Sequence, residues 1–263
     1  MKMRSKRPLD EFTGTLGIGV LVAAVGVVSV VAGPVSAGTI MVRVNAANDD
    51  AEENLNDNSI DLGSSDLELG NEGEGNPQLV GMRFANVNVP QGATVLSASL
   101  QFTVDEGDRD SGPTDLTITG ELTSNALAFT ATAGDITSRG QTTAAAAWNS
   151  VAPWDTDGHV TAAQRSPDIA SVVQEIVDQP GWAAGNALVI LIQGSGERTA
   201  ASFNGEQNGA PILIITTTGG PHERLFLRRV VHGNDDVEQD AFAGGNIDLS
   251  SSDLEISAEG GST

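Results

Sequence analysis

Apolar residues alternate with polar ones over short stretches along most of this chain, which is the pattern of strands with one buried face. The clearest case runs from Ala93 to Val104, where Ala98, Leu100, Phe102 and Val104 alternate with Ser99, Gln101 and Thr103 after a Pro90-Gln91-Gly92 turn. Further strands are expected at Thr39 to Val44, around Leu116 and Ile118, at Leu79 to Phe84, at Val189 to Ile192 and at Ile212 to Thr217. Ile60, Leu62, Leu67 and Leu69 alternate on either side of Gly63-Ser64-Ser65. Many short strands separated by Gly- and Asn-rich turns predict an all-β fold, a jelly-roll-like β-sandwich, and not an α/β fold. One segment departs from this period. Ile169, Val172, Val173, Ile176 and Val177 share a helical face, Ser166 is placed to cap it with Pro167 at the first position, and Pro180-Gly181 ends it. Gln174, Glu175 and Asp178 are then expected to face water.

A second regularity operates at long range. Arg43, Val44, Asn48, Asp49, Asp50, Glu52, Ile60, Asp61, Leu62, Ser65, Asp66, Leu67 and Glu68 recur as Arg229, Val230, Asn234, Asp235, Asp236, Glu238, Ile247, Asp248, Leu249, Ser252, Asp253, Leu254 and Glu255. The offset is 186 up to Glu238 and 187 from Ile247 onward. Residues 229–263 therefore read as a partial repeat of the module's opening, reached through a linker at 219–228. Such a Gly-, Ser- and Asp-rich segment cannot bury a core of its own, so a remnant of a longer array and a joining element are both open readings. At the other end, Lys2, Arg4, Lys6 and Arg7 precede an apolar run from Leu16 to Ala32, and Val35-Ser36-Ala37 supplies small residues at a cleavage position. This predicts a signal peptide over 1–37 and a secreted or cell-surface module over 38–218, with a retained membrane anchor as the alternative.

Charge narrows the classes of partner. Residues 38–263 hold nine arginines and no lysine against 33 carboxylates, a formal net charge of −24. Such a surface repels nucleic acid and anionic lipid and attracts divalent cations. There is no Cys, so an exported module of this kind is held by its core, or by core and metal together.

The run Gly81-Met82-Arg83-Phe84, then Asn86 to Thr94 with Pro90-Gln91-Gly92-Ala93, then Ala98-Ser99-Leu100-Gln101-Phe102, resembles the core of bacterial surface modules of the DNRLRE and disaggregatase-related type. Pro167-Asp168-Ile169, Trp182, and Gly185-Asn186 leading into Leu188-Val189-Ile190 resemble that family's short helix, Asn-containing turn and strand. The likeness spans roughly residues 40–217. It implies a β-sandwich module of a secreted or cell-surface protein, of a group in which some members are classed as carbohydrate-binding. The acidic stretches are this chain's own elaboration, so no partner follows from the likeness.

Those acidic stretches carry the most informative chemistry. Calcium takes six to eight oxygen ligands, and Asp49, Asp50, Glu52, Asp66 and Glu68 would supply several of them if the two opening strands paired edge to edge. In Asp66-Leu67-Glu68, alternation puts both carboxylates on one face and Leu67 on the other. The competing reading is a solvated acidic face in an acid-rich protein. Asp105, Glu106, Asp108 and Asp110 with Ser111-Gly112 form a second, weaker candidate that would look the same as an exposed hairpin tip.

For a polysaccharide or another surface polymer, the best candidate is the loop bearing Trp148, Trp154, Asp155, Asp157 and His159, since planar rings on a rigid surface bind sugars; a tryptophan-plugged loop is the structural alternative. Arg198 is placed to contact the same ligand or to reach back to an acidic loop, and Arg83 to pair with a carboxylate. An enzyme is not expected. The three histidines, at 159, 222 and 232, lack metal-site spacing, there is no Cys nucleophile, and Ser195 is outside any Gly-x-Ser-x-Gly elbow. The sequence thus suggests a non-catalytic exported surface or matrix module that binds a polymer and is stabilised by calcium. The alternative is a structural subunit that self-associates through residues 229–256.

Overall fold

A computed structural model describes residues 37–107 and 112–218, together with the backbone of two short strands at Glu238–Gln239 and Ile247–Asp248. The expected signal segment, the linker and most of the partial repeat lie outside the described residues, as do Asp108, Asp110 and Ser111. In chain order the strands are β1 (Ala37–Arg43), β2 (Asp50–Asn54), β3 (Ile60–Asp61), β4 (Asp66–Gly70), β5 (Gln78–Val87), β6 (Val95–Gln101), β7 (Asp115–Gly120), β8 (Ala146–Trp148), β9 (Asn186–Ser195), β10 (Glu197–Ala201), β11 (Ile212–Thr218), β12 (Glu238–Gln239) and β13 (Ile247–Asp248). One α-helix, α1 (Ala170–Val177), lies between β8 and β9.

The protein is all-β, with antiparallel ladders throughout the described sheets. Six strands form one sheet in the order β3-β2-β5-β9-β7-β8, three form another in the order β1-β11-β6, and β4 pairs with β10. The main core draws on all of them. Val80, Met82 and Phe84 of β5, Leu188, Ile190 and Ile192 of β9, and Leu116 and Ile118 of β7 meet Leu213 and Ile215 of β11 and Ala98 and Leu100 of β6. Leu67 and Leu69 of β4 and the buried stripe of α1 complete it. These are the inward members of the period-2 pattern.

The six-stranded sheet is buried on its second face as well. Ala51, Leu79, Val189 and Leu191 pack there against Ala126, Phe129 and Ile136 from the 121–142 segment. A central strand covered on both sides reads as a continuous apolar run, which is what Ala187 to Ile192 is. Gly81 allows the closest approach: a Cβ built there would lie 2.5 Å from the Phe129 ring.

The helix starts later than its sequence suggests. Ser166 is not its cap. Residues 166–169 lie beside the free edge of β6, where the Leu100 amide donates to Ser166 Oγ (2.9 Å) and the Ile169 amide to Ala98 O (2.8 Å). Asp168 Oδ1 then accepts from the amides of Ala98 (2.9 Å) and Ala170 (3.0 Å), joining that edge to the first residue of the helix. The unpaired amides of β6 are the reason, because a buried strand edge without partners costs more than a helix lacking one turn. Two residues expected in water also have structural work. Gln174 Oε1 accepts from the Val95 amide at 2.7 Å, and Glu175 accepts from the amides of Thr143 (2.9 Å) and Ala144 (2.7 Å).

Core position predicts the cost of truncation. Leu67→Ala, which empties a site 1 % exposed between β4 and the main core, is expected to lower unfolding free energy by about 2–5 kcal/mol. Leu127→Ala, at a residue 78 % exposed, should change it by less than about 0.5 kcal/mol. Urea titrations of both variants check the pair.

Candidate functional site

The tryptophan loop does not present its rings. Trp154 is 0 % exposed and Trp148 is buried, and the two indoles cluster with Phe102 at centroid separations of 5.8 to 6.1 Å. Trp154 Nε1 donates to Ala163 O at 3.2 Å. The candidate sugar platform is therefore corrected to a core plug, because three large rings gain more by excluding water together than by facing it singly. Asp155, Asp157 and His159 do remain exposed. Arg198 is not on that surface either. Buried to 2 %, it donates from Nε to Ala152 O (2.8 Å) and from Nη2 to Val151 O (2.7 Å) and Gly112 O (3.3 Å). Its guanidinium fork holds the inner side of the loop by its carbonyls.

The acidic residues are buried and divide into separate groups. Asp49, Asp50, Glu52, Asp66 and Glu68 are all between 2 and 6 % exposed, which excludes a solvated acidic face. The opening strands do not pair edge to edge: β2 lies between β3 and β5, while β4 pairs with β10. Register decides which carboxylates meet. Asp50 stands opposite Met82 and Glu52 opposite Val80, and directly paired residues share a face, so both acids point to the main-core side. Asp49 leaves the group. Its Oδ1 accepts from Arg83 Nη1 at 2.5 Å, and Arg83 Nε also donates to Ala126 O at 2.9 Å.

The remaining acids bridge two sheets. Glu52 Oε1 accepts from the Glu68 amide at 2.6 Å, so a side chain of the six-stranded sheet closes the open edge of β4. Burial pushes the Glu52 carboxyl well above the usual range, and the hydrogen bond and charge of Glu68 push it further. Glu68 is also raised, first by burial and then by the charges of Asp66 and Glu72. Asp50 is raised to about 6 by burial, against the pull of the Phe203 amide that donates to its Oδ2 at 2.8 Å. Asp66 Oδ1 accepts from the hydroxyls of Ser64 (3.0 Å) and Ser65 (3.4 Å), whereas its Oδ2 is buried with no hydrogen-bond partner.

Two carboxylates outside the expected cluster prove structurally important. Glu53, fully buried on the opposite face of β2 from Glu52, accepts from the amides of Ile136 and Thr137 (both 2.8 Å) and from the Thr137 hydroxyl. Period-2 alternation within Asp50-Ala51-Glu52-Glu53 contains the signal, since it sends Glu53 to the side of Ala51. Asp105, in the weaker candidate, is raised by burial and by the charges of Asp66, Asp157 and Glu206, so it borders the main cluster. Chemically the site is a buried carboxyl group pair, Glu52 and Glu68, with Asp66 beside it. Among the described residues no three His, Asp or Glu side chains close around a common point as a preformed metal centre.

Stability should reflect these raised groups. Asp50 rises from 3.8 to about 6, so between those values the folded state binds more protons than the unfolded one and stability falls as pH rises. Glu52 and Glu68 act in the same direction. In metal-free buffer the melting temperature is expected to be lower at pH 7 than at pH 5, and Asp50→Asn, which keeps an acceptor for the Phe203 amide, should flatten part of that slope. An identical slope in wild type and variant would show that Asp50 titrates normally.

No family model matches the chain, and no curated protein matches it.

Proposed function

We propose that this chain is a non-catalytic module of an exported surface or matrix assembly, joined to neighbouring copies by addition of its C-terminal hairpin. One observation carries the reading. In the module, β2 pairs with β3 in the register Glu52 with Asp61 and Glu53 with Ile60. In the C-terminal segment, β12 pairs with β13 in the register Glu238 with Asp248 and Gln239 with Ile247, the same two pairs at the sequence offsets of the repeat. The inserted residue falls between the paired strands, with six residues between Glu53 and Ile60 and seven between Gln239 and Ile247. It therefore leaves the register of the paired residues unchanged, where an insertion within a strand would shift it.

The position of the original hairpin makes exchange feasible. β3 and β2 end the six-stranded sheet, and β2 meets the rest of it through the ladder to β5 alone. A copy from another molecule would remake that one ladder with the same register, as in strand addition generally. The molecule's own β2 competes for the place, so exchange depends on concentration. A polysaccharide-binding reading has less support, since Trp148 and Trp154 belong to the core and the exposed part of their loop offers Asp155, Asp157 and His159 without an indole ring.

The absence of Cys permits a direct test. Asn54 lies opposite Gln78, and the repeat offset makes Asp240 the counterpart of Asn54. The full chain carrying Gln78→Cys and Asp240→Cys is expected to give disulfide-linked dimers and larger species on non-reducing gels, well beyond either single-cysteine variant. Light scattering of the unsubstituted chain should show mass rising with concentration. A constant monomer mass, or a cross-link formed only within one chain, would sink the reading.

A further inference from the structure

We propose that Glu52, Asp66 and Glu68 form a binding site for a hard divalent cation, calcium, which ties β2 to β4. Glu52 comes from β2 of the six-stranded sheet, Asp66 and Glu68 come from β4 of the two-stranded one, and all three are buried. Among the described residues none of them has an arginine partner: the ion pairs there join Arg83 to Asp49 and Arg139 to Glu121 and Asp135. Uncompensated buried carboxylates are costly, and a cation is one of the few remedies available in a water-poor interior.

The independent indication is Asp66. It is 94 % buried by its 6 % exposure, its Oδ1 is engaged by two serine hydroxyls, and its Oδ2 has no partner. Strand alternation puts Asp66 on the same face of β4 as Glu68, whose amide donates to Glu52 Oε1 at 2.6 Å, so the three acids belong to one group. A buried polar atom left alone is costly, and an ion beside the three acids supplies the partner that Asp66 Oδ2 lacks. The donors are all oxygen, without nitrogen or sulfur, which selects calcium or magnesium over zinc or copper. Calcium is favoured because it accepts irregular oxygen cages, whereas magnesium demands near-ideal octahedral geometry and keeps its waters. The carboxylates are not closed round one point, so binding requires their side chains to change rotamer as the ion enters.

The site makes no use of the C-terminal segment and stands apart from the proposal of strand exchange. Melting of the full chain is measured with calcium, with magnesium and with chelator at equal ionic strength, and calorimetric titration with calcium chloride gives the stoichiometry. Calcium at about 100 times its dissociation constant is expected to raise the melting temperature by about 5–10 °C over chelator, magnesium by less, with one tight site per chain. Asp66→Asn and Glu68→Gln should each lose most of the calcium shift. In chelator both should melt no lower than wild type, since each relieves like-charge crowding; a merely structural role for either residue would lower that value. Equal melting of the wild type in calcium and chelator overturns the proposal whatever the variants do. So does a full calcium shift retained by both variants, which would place the ion elsewhere.

Discussion

The structure turns on β2, a short strand one place in from the edge of the six-stranded sheet, buried on both faces and made largely of acids. Its charged side chains face inward on both sides of the sheet. Glu53 has its carboxylate held by amides of the 121–142 segment, while Glu52 closes the edge of β4 by accepting the Glu68 amide. One strand thereby anchors the outer cover of the six-stranded sheet and the two-stranded β4–β10 ribbon. Replacing either glutamate with an apolar residue would leave buried amides without acceptors, which is why the acids occur where a sheet would ordinarily take Val or Ile.

Scarcity of cations sharpens the effect. The described arginines are directed mainly to backbone carbonyls. Arg43 donates to Ala210 O, Arg198 clamps the loop around Val151 and Ala152, and Arg139 donates to the carbonyls of Leu127 and Ala128 as well as to Glu121 and Asp135. Arg139 also lies over the Phe129 ring at 4.5 Å, fixing the cover from above. These guanidinium groups act as loop fasteners, for which five donors in a planar fork are well suited. Among the described residues Glu52 and Glu68, between β2 and β4, have no arginine partner, and burial followed by the charges of neighbouring carboxylates raises their proton affinity.

Much of the fold was legible because its signals are local. Alternation located the principal strands, and the helical stripe of Val172, Val173, Ile176 and Val177 is buried as its period required. Leu67 enters the core between two acids, as Asp66-Leu67-Glu68 implied. Local signals also misled in specific places. Ser166-Pro167 has the chemistry of a helix start, yet that stretch is taken by the edge of β6, a partner some 66 residues away in sequence. Trp148 and Trp154, flanking a polar loop, have the composition of a ligand platform, and only the meeting of that loop with Phe102 turns them inward.

The sequence by itself determined the all-β class, the period-2 division of each strand into two faces, the single amphipathic helix and the repeat that reappears near the C-terminus. Each follows from residue order, because side-chain direction along a strand or helix is a property of the backbone period. Tertiary structure alone decided that Asp49 pairs with Arg83, that Glu53 serves the outer cover, and that Glu52 meets Glu68 with Asp66 beside them. Residues in β2 and β4 are brought together by ladders each forms with a third strand, β5 for one and β10 for the other. Which strands become neighbours depends on the energy of the whole packed core, and a run of acidic letters contains no record of it.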